Sequence, residues 1–501
     1  MGRIRGYDGG RRKRKSKQRT VLLFIVSIMF FWVLGLLTVI TWHLIKPETV
    51  PKLPQDMVDE YLANRTTEAE ETWEVTEAVE FTALADVGDP IVDAANQKAR
   101  MYDYDAAIAM VQAVEGYENN EIYANAIAAY EDLKAQCVKW TRYDQITHVF
   151  FHTLIVDEEL AFNSEKRDDY NKVMTTVDEF NQIIQSMYEK DYVLISLHKI
   201  AKMEIQPDGT EKMVKQEIWL PKGKKPFVLS VDDVCYYEYM TGHGFATKLC
   251  LDENGKVVNE YVERDGSVSY GSYDAMTLLE DFVAAHPDFS YQGSKGILAF
   301  TGYDGVLGYR TSDFWYKEGC PYYISTPEND REKELYHTSP NLNIEQDKQT
   351  AKQVAQAIRA LGWEMASHTW GHPNLKTLGY DRFVWDTDMW EREVEPIIGE
   401  TDIILYPLGA DVGEWMASEY GPQNAKYMKL KAVGFDYFCN VDGAQYWVQI
   451  NADSFRQGRR NLDGYMMYKQ IINPDRMLVT DLFDADTVFS SARPTPVPGL
   501  E

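Results

Sequence analysis

The sequence predicts an α/β fold built on parallel strands, and three observations support this prediction. Apolar, strand-like segments alternate with helical segments from about residue 145 onward, which is typical of parallel sheets and barrels. Acidic and polar residues stand where several of these strands end, and in a barrel such residues gather on one face. The chain has 501 residues, of which 45% are hydrophobic, so it can bury a large core.

The first 45 residues predict a membrane anchor. Residues 1–19 contain nine Lys or Arg and form a basic cytoplasmic tail, and residues 20–45 contain no Lys, Arg, Asp or Glu. Such a span is long enough to cross a bilayer, and the basic flank favours a cytoplasmic N-terminus. A cleaved signal peptide would have a shorter apolar region and a small-residue cleavage site. We therefore predict an uncleaved signal anchor in the cell membrane, with the remaining chain outside the cell.

Charge and cysteine content limit the classes of partner. The formal net charge is −27 although nine basic residues lie in the first 19 positions, so the rest of the chain is strongly acidic. An acidic body repels phosphate backbones, and we expect no nucleic acid partner. The five cysteines are scattered without a C-x-x-C pair, so neither a thiolate zinc site nor a dense disulfide framework is predicted. The sequence identifies no protein partner.

Two accessory segments precede the α/β region. Residues 46–91 are strongly acidic and are predicted to form a stalk. Residues 92–143 contain two stretches rich in Ala and Tyr in which apolar residues recur at i, i+3 and i+4, which predicts two helices in a hairpin. The first stretch resembles a tetratricopeptide-type unit. One or two such units cannot form an extended binding surface, so we interpret the hairpin as a packing or spacing module.

The predicted α/β domain covers residues 144–490. Its strand candidates are residues 145–156, 191–197, 225–232, 296–301, 363–366, 402–406, 436–439 and 477–480. Residues 243–343 are interpreted as a long insertion whose Tyr- and Trp-rich tract, residues 302–316, either stacks on sugar rings or packs in the core. Residues 491–501 are rich in Pro and predicted to be a disordered tail.

Two histidines and two aspartates are the main candidate site residues. His368 and His372 are four residues apart, so one turn can direct both imidazoles to one point, and neutral imidazole is the commonest zinc ligand. Asp232 and Asp233 follow the apolar run K-P-F-V-L-S-V and offer an acidic ligand. The histidine pair alone would also fit two polar rings at the start of a helix, so a metal site needs the acidic pair as well.

These motifs, in this order, resemble the NodB-type polysaccharide deacetylases (carbohydrate esterase family 4). The resemblance rests on K-P-F-V-L-S-V-D-D, G-W-E-M-A-S-H-T-W-G-H-P-N-L and I-I-L-Y-P-L-G. The segments F-F-H-T-L and D-Y-V-L-I-S-L are also similar to the N-terminal part of the poly-N-acetylglucosamine deacetylase branch. The resemblance covers about residues 145–490. It implies a distorted (β/α) barrel, the NodB homology fold, with one divalent metal ion, usually zinc.

The resemblance also implies a reaction and a role for each motif residue. The reaction is the removal of acetyl groups from an N-acetylated cell-surface glycan, such as peptidoglycan or an exopolysaccharide. Asp233, His368 and His372 would bind the metal, Asp232 would be the general base, and the backbone N–H of Leu408 would stabilise the oxyanion. This division suits the chemistry because one carboxylate neutralises the cation while its neighbour stays free to accept a proton.

Two residues that the family uses are absent from their usual places. Leu405 or Tyr406 stands where the family has an Arg, and no histidine follows His372 to act as the general acid. The candidate replacements are Arg456, Arg459 or Arg460 for the Arg, and His152, Asp481 or Asp484 for the acid. Each also has a purely structural interpretation as part of a surface basic turn, as a helix cap or as a core histidine.

Two functions therefore stay open on sequence alone. The first is a membrane-anchored, metal-dependent N-deacetylase. The second is a catalytically inactive glycan-binding or scaffold protein on the same barrel. The presence of Asp232, which does not bind the metal in the family, favours the enzyme, whereas the missing Arg and His favour the binding protein.

Overall fold

The computed structural model of the chain describes residues 84–316 and 343–501. The predicted basic tail, the membrane anchor and nearly all of the acidic stalk lie outside these residues, so the anchor stays a prediction. Within the described part, no helix is long and apolar enough to cross a membrane.

Seven parallel strands of the described part close into a barrel in which spatial order follows chain order. They are β1 Thr147–Phe151, β2 Lys225–Val231, β3 Ile297–Phe300, β4 Glu364–Ser367, β5 Ile403–Leu405, β6 Tyr437–Val441 and β7 Phe455–Asn461. Each strand pairs with the next, and β7 pairs with β1. The ring is irregular because β4 and β5 share a single residue pair, Ser367 with Ile404. The predicted distorted (β/α) barrel is confirmed for this part of the chain.

The apolar strands were predictable because both of their faces are buried. In β2, residues from Pro226 to Val231 are all buried, as expected for a parallel strand covered by helices. Side chains alternate between two apolar clusters, with Phe227 and Leu229 in one cluster and Val228 in the other. The barrel therefore packs on both faces of its wall.

The other elements surround this barrel. The helices of the described part are Pro90–Arg100, Tyr104–Gln112, Glu121–Ala135, Glu158–Asn163, Arg167–Val173, Val177–Glu189, Leu197–Ile200, Ala275–Ala285, Asp313–Tyr316, Ile344–Ala360, Tyr380–Glu393, Glu395–Ile398, Ala425–Ala432, Gly464–Ile471 and Ala485–Val488. The strands outside the ring are Cys137–Lys139, Tyr192–Leu194, Ala201–Ile205, Glu211–Lys215, Trp219–Pro221, Lys248–Leu251, Val257–Val262, Val268–Gly271 and Val448–Ile450. Tyr192–Leu194 pairs with β2, and Val448–Ile450 pairs antiparallel with β7.

The last barrel strand is not the predicted one. Residues 477–480 form no strand, and the ring is closed by β7, whose sequence F-R-Q-G-R-R-N also fits a surface basic turn when taken alone. This interpretation was wrong because β7 is buried throughout except for its last residue. The barrel also takes β3 from residues 243–343, so that range is not a single inserted block.

The predicted helical hairpin contains three helices instead of two. The first stretch breaks between Arg100 and Tyr104, where Tyr102 has a left-handed φ of 62°. The hydroxyl of Tyr102 donates to the carbonyl of Asp288 at 2.8 Å, and this tertiary contact accompanies a break that the 3.6-residue periodicity did not show. Tyr102 lies in the same apolar cluster as Phe455 of β7, so the helical module packs against the barrel.

The C-terminal tail is packed, contrary to the prediction of disorder. Arg493 is buried, and its guanidinium donates to both carboxylate oxygens of Glu179 at 2.6 Å. It also donates to the carbonyls of Asn171 and Met174 at 2.9 and 2.8 Å. A Pro-rich composition gave no sign of these contacts, because their partners lie more than 300 residues earlier in the chain.

Candidate metal centre and active site

The ends of β2 and β4 bring the three predicted metal ligands together. Asp233 follows β2, His368 follows β4, and His372 lies in the loop after His368. One ligand atom from each side chain lies within 4.8 Å of the other two. The structure therefore places the predicted triad at one point on the carboxyl-terminal rim of the barrel.

The backbone at this point adopts conformations that are rare for residues other than glycine. Asp233, Thr369 and His372 have φ values of 57°, 64° and 52°. Each such residue costs of order 1–3 kcal/mol and persists only where the surroundings impose it. Clusters of these residues are found at functional sites.

Two buried acidic residues of helix Tyr380–Glu393 hold the histidine loop. Asp386 accepts hydrogen bonds from the backbone N–H groups of Trp370 and Gly371 at 3.0 and 2.9 Å. Glu393 accepts one from the indole Nε1 of Trp370 at 2.9 Å. These contacts fix the segment that joins the two histidines, so their spacing does not depend on the loop alone.

His368 is held as a neutral ligand. Its Nδ1 donates to the carbonyl of Leu405 at 2.7 Å, which leaves Nε2 with a lone pair that faces the acidic residues. Burial lowers the pKa of His368 to about 4 although Asp232 and Asp233 act in the opposite direction. A neutral imidazole with its other nitrogen bound to a carbonyl is the usual arrangement of a metal-binding histidine.

Asp233 is held as a carboxylate. Burial raises its pKa, but the nearby His372, His368 and His152 lower it by more. Its Oδ1 accepts a hydrogen bond from the hydroxyl of Tyr237 at 2.8 Å, which orients the group. One carboxylate oxygen and two imidazole nitrogens form the mixed donor set that zinc-class ions bind, so the residues present fit the metal that the resemblance implies.

Asp232 lies beside the triad and has a different partner. Its Oδ1 accepts a hydrogen bond from Nη1 of Arg459 at 2.6 Å, and both side chains are buried. Its Oδ2 is 3.7 Å from Nε2 of His368. Burial raises the pKa of Asp232, but Arg459 and then His368 lower it to well below its usual range. The side chain is therefore ionised, with one oxygen bound to Arg459.

Among the three arginines proposed as replacements, Arg459 is the one that reaches Asp232. Arg456 binds Asp411 at 2.9 Å, and Arg460 binds Asp481 at 2.7 Å. The sequence feature that separates Arg459 from Arg460 is the alternation of side chains along a strand, which places residues 459 and 460 on opposite faces of β7. In the described part of the chain, the Nε and Nη2 atoms of Arg459 are buried and have no hydrogen-bond partner.

Among the candidate acids, His152 lies at the site. It follows β1, its Nδ1 is 3.2 Å from the carbonyl of Val173, and it lies close enough to Asp232 and Asp233 to contribute to the lowering of their pKa values. Asp484 is an exposed cap of helix Ala485–Val488, and Asp481 is bound to Arg460, so neither has the position that a general acid needs.

Leu408 lies in the turn Pro407–Gly409 directly after β5. It has a φ of 57°, and its side chain is 69% exposed. The turn stands on the same rim as the triad because the carbonyl of Leu405, at the end of β5, binds His368. The oxyanion role of the Leu408 N–H stays a prediction.

Fold and site together define a (β/α) barrel with an Asp-His-His cluster beside an ion-paired aspartate. In these features the chain resembles the NodB-type polysaccharide deacetylases, as the sequence motifs indicated. No protein-family model and no curated protein matches the sequence.

Two solved structures are similar to this chain at low sequence identity. The Streptococcus pyogenes deacetylase PplD, in complex with acetate, is 13% identical, with a TM-score of 0.33, covering 67% of this chain and 98% of PplD. BA0330 of Bacillus anthracis, which is named as a polysaccharide deacetylase, is 11% identical, with a TM-score of 0.30, covering 64% of this chain and 65% of BA0330.

Proposed function

We propose that the protein is a metal-dependent hydrolase that removes N-acetyl groups from a cell-surface polysaccharide. The observation that supports this proposal best is the buried ion pair of Asp232 and Arg459 beside the metal-type triad. A metal site with only a structural role has no use for an additional ionised carboxylate, whereas hydrolysis needs a base next to the metal.

Asp233, His368 and His372 would hold the divalent ion. When bound, such an ion polarises the acetamide carbonyl and lowers the pKa of water. Asp232 would then accept the proton of the attacking water at Oδ2, because its Oδ1 is bound to Arg459. The backbone N–H of Leu408 would donate to the oxyanion that forms on the carbonyl.

His152 would protonate the leaving nitrogen of the amino sugar. An amide nitrogen is a poor leaving group until it gains a proton, so the reaction needs an acid on the rim. The carbonyl of Val173 accepts from Nδ1 of His152, which leaves Nε2 free to hold the proton to be transferred. The products would be acetate and a free amine on the glycan.

The alternative is a catalytically inactive glycan-binding or scaffold protein. Two absences in the sequence supported it, the missing Arg and the missing general acid. Arg459 occupies a position in which it can orient Asp232, and His152 lies near both aspartates. If Arg459 and His152 take these two roles, the enzyme is the better supported function.

The expected substrates are peptidoglycan and exopolysaccharides that contain N-acetylglucosamine. We place the reaction outside the cell, on a single-pass protein of the cell membrane. The test is acetate release by the purified, detergent-solubilised full chain, loaded with zinc, from an N-acetylglucosamine polymer and from peptidoglycan fragments. If the zinc-loaded protein releases acetate from neither, the proposed function is wrong.

A further inference from the structure

The loop between β5 and helix Ala425–Ala432 presents large apolar side chains to solvent. Trp415 is 65% exposed and Met416 is 49% exposed. Leu408, at the start of the same loop, is also largely exposed. Burying the full side chain of such residues would stabilise the protein by about 1.5–3 kcal/mol each. The folded chain lacks this stabilisation as long as the side chains stay exposed.

A buried arginine fixes the backbone beneath these side chains. Arg456 is fully buried, and its Nη2 donates to the carboxylate of Asp411 and to the carbonyl of Glu414 at 2.9 and 2.8 Å. Its Nη1 lies 3.5 Å from the carbonyl of Met416 and 3.0 Å from Oε1 of Gln449.

Gln449 completes the support of the loop. Its Nε2 donates to the carbonyl of Trp415 at 2.5 Å. Arg456 and Gln449 together therefore contact the three consecutive carbonyls of residues 414, 415 and 416. The guanidinium of Arg456 also lies 3.8 Å from the ring centroid of Tyr420. These hydrogen bonds therefore hold the backbone that carries the exposed Trp415 in one conformation.

The same loop is joined to the loop that carries the histidines. Nζ of Lys376, four residues after His372, is 2.8 Å from Oε1 of Glu414. Nζ of Lys426 donates to the carbonyl of Leu375 at 2.5 Å. Trp415 thus follows a residue that contacts the loop carrying the histidines, so the two loops neighbour each other on the rim.

We propose that Trp415 is a stacking platform for a pyranose ring of the glycan, in a subsite next to the sugar whose acetamide is hydrolysed. A pyranose has an apolar face that packs on an aromatic ring and hydroxyls at its edge that bind polar groups. Here, Glu414, which precedes Trp415 in the chain, and its partner Lys376 supply exposed polar groups in the same loop region. This inference rests on the proposed function, because it takes the substrate to be a glycan.

A protein partner fits this surface less well. Stable protein interfaces take about 20–30 residues from each partner, whereas the exposed apolar side chains of this loop are Leu408, Trp415 and Met416. Such a set matches one or two sugar rings in size. Within the Tyr- and Trp-rich tract of residues 302–316, Tyr309 and Tyr316 are buried, so neither of these two rings can stack on a sugar.

The test uses the full chain with Asp232→Asn, so that bound glycan is hydrolysed on the order of a hundredfold more slowly. Binding of an N-acetylglucosamine oligosaccharide is measured by calorimetry with and without Trp415→Ala. We expect Trp415→Ala to weaken binding on the order of tenfold, because a stacked aromatic contact and its buried area are lost. Trp415→Phe should retain most of the affinity. Trp219→Ala, at an exposed Trp near the start of β2, is the matched control and should bind as the parent does.

Equal affinity of the Trp415→Ala variant and its parent, or no binding of the oligosaccharide by the parent, would overturn the platform. Failure of the proposed function has a different signature. If binding depends on Trp415 but the wild type releases no acetate, the platform stands and the deacetylase does not. If acetate is released and Trp415→Ala changes neither the Kd nor the KM for the oligosaccharide, the deacetylase stands and the platform does not.

Discussion

Arg459 on β7 donates a hydrogen bond to Asp232 at the end of β2, and the two residues are 227 positions apart in the chain. Both side chains are buried, so neither charge is compensated by solvent. A carboxylate buried alone would tend to take up a proton, and the guanidinium keeps it ionised. Because Arg459 lies on the strand that closes the barrel, barrel closure brings in the cation that keeps the proposed base ionised.

Replacing Arg459 by Met should reduce both stability and acetate release. The substitution leaves a buried carboxylate without its partner, and breaking a buried pair in this way costs about 3–5 kcal/mol. Activity per folded molecule should also fall on the order of a hundredfold at neutral pH, because the base is no longer held ionised. Urea unfolding and acetate release measure the two effects.

The pH dependence of this variant gives a further check. The pKa of Asp232 is lowered in the folded state, so the pair stabilises the protein above the unfolded pKa of about 3.9 and loses this contribution as the pH falls below it. The stability difference between wild type and Arg459→Met should shrink in acid. Arg460→Met, which breaks the neighbouring pair with Asp481, is the control and should keep its activity per folded molecule. A fully active Arg459→Met protein would contradict the role of Arg459.

The adjacent aspartates should respond differently to the same substitution. Asp232→Asn should keep the metal but lose turnover on the order of a hundredfold, because an amide cannot accept the proton. Asp233→Asn should lose metal, because it removes the anionic ligand from the triad. Metal analysis after dialysis and acetate release, made on the same samples, separate the two residues. Metal loss in Asp232→Asn with full retention in Asp233→Asn would reverse the assignment.

Arg493 should be as important for stability as a core residue. Arg493→Ala leaves the buried Glu179 without its cationic partner, and we expect a loss of about 3–5 kcal/mol in the free energy of unfolding. Arg476→Ala is the matched control because Arg476 is exposed, and such surface changes cost less than about 0.5 kcal/mol. Urea unfolding followed by tryptophan fluorescence compares the variants. An unchanged midpoint for Arg493→Ala would show that the tail contributes nothing.

The sequence was sufficient where the necessary information is local. The apolar runs of the buried strands predicted most of the barrel, and the spacing of His368 and His372, together with the pair Asp232 and Asp233 at a strand end, predicted which side chains meet on its rim. β7 was missed because its arginines look like a solvated turn until their partners are known. Those partners, Asp232, Asp411 and Asp481, lie on other segments, and no local pattern connects them. The same reason explains the packed tail, where Arg493 meets Glu179.

The membrane topology should be testable on intact cells. The uncharged span of residues 20–45 and its basic flank predict a cytoplasmic N-terminus and an external barrel. Protease added outside should degrade the barrel while a cytoplasmic control protein stays intact. A protected barrel, in cells whose known surface proteins are cut, would contradict this topology.

The final prediction concerns His152 and depends on the leaving group. His152→Gln should reduce acetate release from an N-acetylglucosamine oligosaccharide on the order of a hundredfold, because the amide nitrogen leaves only after it gains a proton. The same variant should hydrolyse nitrophenyl acetate at nearly the wild-type rate, since a nitrophenolate leaves without an acid. A loss of metal or of fold would instead lower both rates together. His286→Gln serves as the control because His286 packs on the ring of Tyr188 and takes no part in the proposed reaction. If His152→Gln slows both substrates equally while its metal content and unfolding midpoint match the wild type, His152 is not the acid that protonates the leaving nitrogen.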